Sequence, residues 1–289
     1  MLSIILLLLI LQYTQVQSFQ LAAYMGIFDD AYNASINSQI PWKMFDKLVI
    51  SFANIDKYGN LTNENPLDHT KIMNVIKLYK RARPDGIITI SLYDEREDRF
   101  VYAANHPENF YHSVKQYMNK YNLDGLDVDF ESVGINGYKT ELISMLKSCY
   151  NKSIHNDKNN HKNNNKNSKK IILSHTIWPY VHYPETVGAL NDVVDYANIM
   201  SYSQSVESIE VLINAYNKSG FEYGKMVLGI ETESDSETYE SIKGKMDLIR
   251  KYNMAGLFVW RLDNDGIINN KPTYKTIKLL QDVISFRIK

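Results

Sequence analysis

One stretch of acidic residues constrains the fold of this chain more than any other. Residues 122–132 read Asn-Leu-Asp-Gly-Leu-Asp-Val-Asp-Phe-Glu-Ser, so Asp127, Asp129 and Glu131 alternate with apolar residues. Successive side chains of a β-strand point to opposite faces, and a strand here would place the three carboxylates on one face. Carboxylates crowded into a buried strand cost free energy unless they are paired or do chemical work. The stretch therefore predicts a central strand with a catalytic acidic face.

Two alternatives exist for the same pattern. A solvated strand at a sheet edge would tolerate the acids, and a divalent metal ion would accept them as oxygen ligands. The alternating Leu126, Val128 and Phe130 favour a central strand over an edge, and no glycine-bent calcium loop follows. A metal-dependent phosphodiesterase barrel would need paired histidines, and the seven histidines form no ligand-spaced pair. We therefore expect neither a metal nor a cofactor.

The composition is that of an ordinary soluble globule. The 289 residues suffice for one or two domains, 44% of them are hydrophobic, and the net charge is -1. No basic excess is present to attract nucleic acid, so nucleic-acid binding is disfavoured. Cys149 is the only cysteine, which excludes a disulfide within the chain, and we interpret it as a small core residue on a helix.

The first 18 residues have the pattern of a secretory signal peptide. Residues 4–11 are an apolar run too short to span a bilayer, and Val16 and Ser18 place small side chains where a signal peptidase cleaves. No Lys or Arg precedes the run, and an uncleaved membrane anchor is the alternative. We expect cleavage after Ser18, a mature chain of residues 19–289 free of the membrane, and a location outside the cell or in the secretory or lysosomal lumen.

Four acceptor triplets for N-linked glycan agree with secretion. They begin at Asn33, Asn60, Asn151 and Asn217. Each triplet alone is a weak signal in a chain rich in asparagine, but together they predict a glycoprotein.

Apolar and periodic segments alternate along the chain in a strand-then-helix order. Strands separated by helices pair in parallel, and eight such units in about 250 residues match a closed (β/α)8 barrel. An open doubly wound sheet is the alternative, but no glycine-rich phosphate loop follows the first strand. The predicted strands are the acidic stretch and residues 21–27, 47–55, 87–92, 171–178, 196–202, 226–230 and 256–260; the predicted helices are residues 68–83, 105–121, 138–150, 205–218, 236–252 and 272–285.

A polar segment interrupts this order at residues 151–170. It holds eight Asn and six Lys, and Ile154 is its only aliphatic residue. Such a segment cannot bury a core, so it predicts a mobile insertion within the one domain. Because it leads from a helix back to a strand, it should lie on the barrel face opposite the carboxyl ends of the strands, where barrel active sites lie.

The acidic stretch also carries a resemblance to a known family. Asp124, Gly125, Asp127, Asp129 and Glu131 reproduce the DGxDxDxE signature of glycoside hydrolase family 18, which includes chitinases and endo-β-N-acetylglucosaminidases. Five fixed positions in eight make a specific match. The resemblance implies a single (β/α)8 barrel.

Two later segments extend the resemblance over the mature chain. Residues 198–202 are similar to the family's sixth strand, which ends in Met-x-Tyr and is matched by Met200 and Tyr202. Residues 256–260 are similar to the eighth strand, whose final tryptophan, here Trp260, floors the subsite of the reacting sugar. Only about two dozen residues separate the last two strands, which leaves no room for the α+β insertion of many relatives. The groove should therefore be open and suited to endo cleavage.

The resemblance implies a role for each matched residue. Glu131 would protonate the glycosidic oxygen, and Asp129 would hold the substrate's acetamide, which serves as the nucleophile. Asp127 would share a proton with Asp129, Tyr202 would donate its hydroxyl to the acetamide oxygen, and Trp260 would stack beneath the sugar. Further candidate contacts with substrate are Met200, Tyr24, Tyr93 and Trp178.

Three family patterns are changed in this chain. Ser91 is followed by Leu-Tyr-Asp in place of the usual Ser-x-Gly-Gly, and Ser203 stands where Met-x-Tyr is usually followed by Asp. Residues 231–234 read Glu-Thr-Glu-Ser in place of Pro-x-Tyr-Gly-Arg. The differences concern contacts around the acetamido group and the leaving group and leave Glu131 untouched.

The sequence therefore predicts a secreted, monomeric glycosidase. It would cleave β-1,4 linkages next to N-acetylglucosamine in chitin or chitin oligomers by a substrate-assisted, retaining mechanism. One alternative is an endo-β-N-acetylglucosaminidase acting on the chitobiose core of N-glycans. Another is a chitinase-like protein that binds carbohydrate and has little turnover. In each case the partner is a polysaccharide or glycan containing N-acetylglucosamine.

Overall fold

The computed structural model describes residues 19–36, 39–63, 65–94, 96–150, 170–269 and 271–285. The predicted signal peptide and residues 151–169 of the polar segment lie outside the described residues, so both stay predictions. Within the described ranges, no helix is long and apolar enough to cross a membrane.

Eight parallel strands form a closed barrel, which confirms the predicted fold class. The first strand pairs with the second, Ala22 aligning with Lys47, and also with the last, Leu21 aligning with Leu257. The strands, numbered in chain order, are β1 (Gln20–Gly26), β2 (Lys47–Ile55), β3 (Ile87–Tyr93), β4 (Gly125–Asp129), β5 (Ile172–Ile177), β6 (Tyr196–Ile199), β7 (Met226–Glu231) and β8 (Gly256–Trp260).

Strand ends differ from the predictions where the chain turns at the mouth of the barrel. The sixth strand was predicted to reach residue 202 but ends at Ile199, and Ser203 has a positive φ of 53° in the following turn. The acidic strand β4 ends at Asp129, so Glu131 lies just beyond the sheet. The alternation of apolar and polar residues predicts which side chains share a face of a strand. It does not predict the residue at which backbone pairing with the neighbouring strand ends.

Helices surround the barrel, and three of them were not predicted. The helix that begins with Pro107 in its first turn was predicted correctly, because proline is tolerated there. The missed helices, α1, α3 and α6, have only six to nine residues and give little periodic signal. The helices of the described residues are α1 (Asp30–Ser35), α2 (Pro66–Ala82), α3 (Glu97–Asn105), α4 (Pro107–Tyr121), α5 (139–150), α6 (Pro184–Ala189), α7 (Val206–Lys218), α8 (Tyr239–Tyr252) and α9 (Lys275–Ser285).

The chain between β7 and β8 contains α8 and its turns and no insertion domain, as predicted. Capping explains the ends of this helix. The Thr238 hydroxyl accepts from the Ser241 N–H while the Ser241 hydroxyl accepts from the Thr238 N–H, and Asn253 ends the helix with a φ of 51°. One side of the barrel mouth is therefore left without a wall.

Two hydrophobic layers hold the barrel together. The larger one lies between the strands and the helices, and it includes Cys149, which is buried as expected. The smaller one lies inside the barrel around Tyr24, Val49 and Phe258. Barrel interiors are usually filled by branched apolar side chains, but much of this interior is polar. Lys47, at the start of β2, is only 1% exposed and shares the inward parity of Val49.

Candidate active site

A cavity of about 280 Å³ opens at the carboxyl ends of the strands. Barrel enzymes place their catalytic groups at this end. Two carboxylates and a ring of aromatic side chains enclose the cavity. The lining residues are Tyr24, Phe52, Tyr93, Asp129, Glu131, Thr176, Met200, Tyr202, Phe258 and Trp260.

The three acids of β4 and its end lie in the predicted order. Asp127 is fully buried, Asp129 is 4% exposed, and Glu131 is half-buried at the mouth. The carboxyls of Asp129 and Glu131 share a hydrogen bond. Burial raises the pKa of both groups, and the charges of Glu131 and Asp127 raise that of Asp129 further. A proton held between the two carboxyls therefore belongs to the pair.

Asp127 is held by five neutral donors beneath the cavity. One of its oxygens accepts from Tyr24, Ser91 and Thr176 at 2.8 to 3.0 Å, and the other accepts from Ser174 and Asn198 at 2.7 and 3.1 Å. Five hydrogen bonds from five residues fix the position of this carboxyl group. Asp129 also feels the charge of Asp127 beside its hydrogen bond to Glu131, and the sharing of a proton between Asp127 and Asp129 stays a prediction.

One oxygen of Asp129, Oδ1, is buried with no hydrogen-bond partner among the described residues. A buried acceptor without a donor is costly, and such atoms commonly mark a place for a ligand. This oxygen is shielded from solvent, although Asp129 as a residue lines the cavity.

Tyr202 faces the same two acids from the end of β6. Burial raises the pKa of Tyr202 well above its ordinary value, and the charges of Asp129 and Glu131 raise it further, so its hydroxyl stays a proton donor. Its ring lies against Gly229, where a Cβ atom would be 2.6 Å from the Tyr202 ring and 2.7 Å from that of Phe258. Glycine at this point of β7 is what admits the ring.

Trp260 forms an aromatic surface of the cavity at the end of β8. Its ring centroid lies 5.5 Å from that of Tyr24 and 5.7 Å from that of Phe52. The indole N–H donates to Glu233 at 3.3 Å. Glu233 belongs to the segment after β7 that departs from the family pattern, so that segment contacts the tryptophan.

A buried arginine next to Trp260 ties three loops of the mouth together. Arg261 is 2% exposed and forms ion pairs with Glu233 at 2.9 Å, with Asp263 at 3.3 Å and with Asp29. The Phe28 ring covers its guanidinium at 4.5 Å. These partners follow β7, β8 and β1, so the arginine fixes the loops around the tryptophan.

Most of the predicted site residues meet in this cavity. Asp129, Glu131, Tyr202, Trp260, Met200, Tyr24 and Tyr93 line it, and Asp127 lies directly beneath. Trp178 does not line it, because its side chain packs in the hydrophobic layer outside the barrel. The roles of the residues stay predictions.

Sequence reasoning missed three lining residues and the arginine. Phe52, Thr176 and Phe258 line the cavity, and Arg261 supports it. Neighbouring residues of β5 face opposite sides of the sheet, so Thr176 and His175 lie on different faces. This alternation could have identified Thr176 as a residue that faces the barrel interior. Nothing in the sequence distinguishes Arg261 from a solvated charge after a strand.

A histidine pair escaped the sequence reading. The Nε2 atoms of His175 and His182 lie 3.1 Å apart, and both rings are buried. Burial lowers the pKa of His175 to about 4 and that of His182 to about 3, so both rings are neutral at ordinary pH. Among the described residues no group of three or more His, Cys, Asp or Glu side chains is arranged to hold a metal ion.

Comparison with known proteins gives one family. The model of the family described as "Glycosyl hydrolases family 18" matches residues 20–239. Comparison with curated protein sequences gives no significant match.

Solved structures share the fold at low sequence identity. A class V chitinase from Nicotiana tobaccum in complex with NAG4 is 13% identical, with a TM-score of 0.71 over 92% of this chain and 99% of that one. A chitinase from Bacteroides thetaiotaomicron is 17% identical, with a TM-score of 0.71 over 92% and 96%. A chitinase-like agglutinin from Robinia pseudoacacia is 14% identical, with a TM-score of 0.71 over 91% and 98%. These similarities support the barrel.

Proposed function

Because the chain belongs to glycosyl hydrolase family 18, we propose that it is a secreted glycosidase acting on chitin or chitin oligomers. It cleaves β-1,4 linkages next to N-acetylglucosamine, and the acetamide of the substrate is the nucleophile. The tobacco chitinase complex with NAG4 supports a ligand of this class. Secretion rests on the residues 1–18, and the chemistry rests on the cavity.

The Asp129 carboxyl beside Glu131 in the aromatic cavity is the observation that carries the proposal. Asp129 lines a cavity walled by aromatic rings, and an acetamido N–H is a donor that suits a carboxylate there. Tyr202 adds a hydroxyl that remains protonated, which suits the acetamide oxygen. A sugar with an N-acetyl group therefore meets an acceptor and a donor at once.

The first step breaks the glycosidic bond. Glu131 gives its proton to the glycosidic oxygen, which leaves with the bonding electrons as a hydroxyl group. The acetamide oxygen forms a bond to the anomeric carbon and gives an oxazolinium ion. Asp129 orients the acetamide and stabilises the positive charge that develops on it. Trp260 presents a ring for the sugar to stack on.

The second step restores the enzyme. The Glu131 carboxylate takes a proton from a water molecule as the water oxygen attacks the anomeric carbon. The bond to the acetamide oxygen breaks, and its electrons return to the amide. Two displacements at one carbon retain the configuration of the sugar.

The open side of the barrel mouth favours a second candidate function, which would use the same catalytic steps. Only α8 and its turns connect β7 to β8, so a branched substrate would meet no wall there. An endo-β-N-acetylglucosaminidase acting on N-glycan cores would use such an opening. A carbohydrate-binding protein without turnover would not need the hydrogen-bonded pair of Asp129 and Glu131.

A direct assay tests the proposal and separates the candidates. Purified protein is incubated with chitin oligomers and with a high-mannose glycopeptide, and the products are measured by mass spectrometry. Cleavage of the oligomers at a rate abolished by Glu131→Gln supports the chitinase. Cleavage of the glycopeptide alone supports the second candidate, and binding of both ligands without products contradicts an enzyme.

A further inference from the structure

A buried ion pair lies between α8 and β7, and the catalytic scheme does not use it. The Nζ atom of Lys245 donates to Oε1 of Glu237 at 2.5 Å, and each side chain is 1% exposed. The cost of removing two charges from water can exceed their mutual attraction, and well-packed apolar side chains are often as stable in their place. Stability alone therefore does not explain the pair.

The amine of Lys245 makes a second contact, with the main chain of β7. It donates to the carbonyl oxygen of Gly229 at 2.8 Å. The pairing of β6 with β7 ends where Ile199 aligns with Leu228, so Gly229 is the first residue of β7 beyond that pairing. A hydrogen bond from a charged donor is stronger than one from a neutral donor. Lys245 therefore holds β7 at the point where the neighbouring strand has ended.

Ser201, in the turn after β6, contacts the same main-chain groups. The Gly229 N–H donates to the Ser201 Oγ atom at 3.0 Å, and the Ser201 hydroxyl lies 3.0 Å from the Gly229 carbonyl oxygen, to which it donates. Ser201 is fully buried. One carbonyl oxygen therefore accepts from both Ser201 and Lys245, and it links α8 to the turn after β6.

Tyr202 is the residue that this arrangement holds in place. It follows Ser201 directly, and the chain turns at Ser203, which has a positive φ of 53°. The Tyr202 ring packs on Gly229, where a Cβ atom would lie 2.6 Å from the ring. The ring and the residue before it thus both rest on Gly229. A shift of Gly229 would therefore move the Tyr202 side chain within the cavity that it lines.

Glu237 fixes the amine of Lys245 from the other side. Its Oε1 atom accepts from Lys245, and its Oε2 atom accepts from the Ser241 hydroxyl at 2.7 Å in the first turn of α8. The main-chain nitrogen of Glu231, at the end of β7, lies 3.4 Å from Oε1. A lysine side chain is flexible, and these contacts restrict where its amine can lie.

We propose that Lys245, held by Glu237, is a positioning residue for Tyr202: by fixing the Gly229 carbonyl, it keeps the Tyr202 hydroxyl where it meets the acetamide oxygen of the substrate. The inference rests on the proposed role of Tyr202. Lys245 does not line the cavity, so it acts through Gly229 and Ser201 and not on the substrate itself. Misplacement of a catalytic group by about 1 Å costs about 10²-fold in rate.

Removal of both charges together tests the proposal. Lys245→Met alone leaves Glu237 buried without its cation, which is strongly destabilising. The test variant, called the pair variant, is therefore Lys245→Met/Glu237→Gln, in which the glutamine can still accept from Ser241. The matched control is Lys243→Met/Asp247→Asn, which removes an exposed ion pair of 3.0 Å from the same helix.

The kinetic measurement is a double-mutant cycle with Tyr202→Phe, which removes only the hydroxyl. We expect the pair variant to lower kcat by about 10- to 100-fold in the wild-type background, with a smaller effect on KM. In the Tyr202→Phe background the same change should cause little further loss, because the hydroxyl that it misplaces is already absent. The control should leave kcat unchanged in both backgrounds. An equal loss in both backgrounds, or no loss in a folded pair variant, overturns the proposal.

A second measurement needs no turnover and so separates this proposal from the proposed function. Labelling of tyrosine rings with ¹³C gives a resonance for Tyr202, which its disappearance in Tyr202→Phe assigns. In the free protein this resonance should shift in the pair variant and keep its position in the control. An unchanged Tyr202 resonance in the pair variant overturns the positioning role, even if the wild type cleaves chitin oligomers. If the wild type is inactive, the proposed function fails, and the resonance alone decides whether Lys245 positions Tyr202.

Discussion

Replacement of the proposed general acid is the most informative single change. Glu131→Gln keeps the length of the side chain and retains a group that hydrogen-bonds to Asp129, so the cavity should keep its shape. The amide has no proton to give to the glycosidic oxygen. Loss of general acid catalysis costs about 10² to 10⁴ in rate, which corresponds to about 3 to 5 kcal/mol of transition-state free energy.

The size of the loss should depend on the leaving group. Glu131 holds its proton because burial raises its pKa, and that proton is needed most when a sugar alcohol leaves. An aryl leaving group with an acidic phenol needs little protonation. We expect the loss in kcat to be large with chitin oligomers and much smaller with a nitrophenyl chitobioside.

The assay measures kcat and KM for both substrates in the variant and in a matched control. Glu222→Gln is that control, because Glu222 is an exposed glutamate before β7, at the opposite end of the barrel from the cavity. Calorimetric binding of a chitin oligomer to Glu131→Gln should give an affinity comparable to that of the wild type. Turnover of oligomers within tenfold of the wild type, or equal losses for both leaving groups, would refute a general acid role for Glu131.

Three further predictions test the rest of the account. Asp129→Asn should lower kcat by about 10² or more and leave KM nearly unchanged, because it releases the acetamide from its attacking position; a loss confined to KM would contradict this. Excision of residues 153–168 should leave the melting temperature and activity nearly intact, since the segment was predicted to bury little and to lie away from the mouth. Loss of folding on that deletion would show that the segment contributes to the core. Mass spectrometry of secreted protein should find Phe19 at the amino terminus, and retention of residues 1–18 would favour a membrane anchor.

The acidic strand could be predicted because its carboxylates recur every second residue, which is the period of a β-strand. The two-residue alternation from Asp127 to Glu131 fixes one face, and the structure orders the acids from the barrel interior to its mouth. Trp178 also ends a predicted strand, but it packs against the larger hydrophobic layer and is not among the residues that line the cavity. The turn that follows a strand decides whether a residue at the end of that strand faces the barrel interior or the helices. Such a turn has no periodic sequence pattern that would predict its direction.

Contacts between distant segments were beyond the sequence. Arg261 meets Asp29 because separate loops converge at the ends of the strands. His175 meets His182 because the chain turns back on itself after β5. Lys47 begins the second predicted strand, and its burial inside the barrel follows from the closure of the sheet around it. The local sequence pattern identifies helices and strands and the faces that they bury. Which charged side chains pair with each other depends on which of these helices and strands become neighbours in the fold.

The central claim is that the acetamide of the substrate performs the attack, and a comparison of two substrates tests it most directly. Oligomers of N-acetylglucosamine and of glucosamine, equal in length and linkage, are incubated with the enzyme, and product formation is followed by mass spectrometry. We expect cleavage of the acetylated oligomer only, with competitive inhibition by a thiazoline that mimics the cyclised intermediate. Cleavage of both oligomers at similar rates would contradict it.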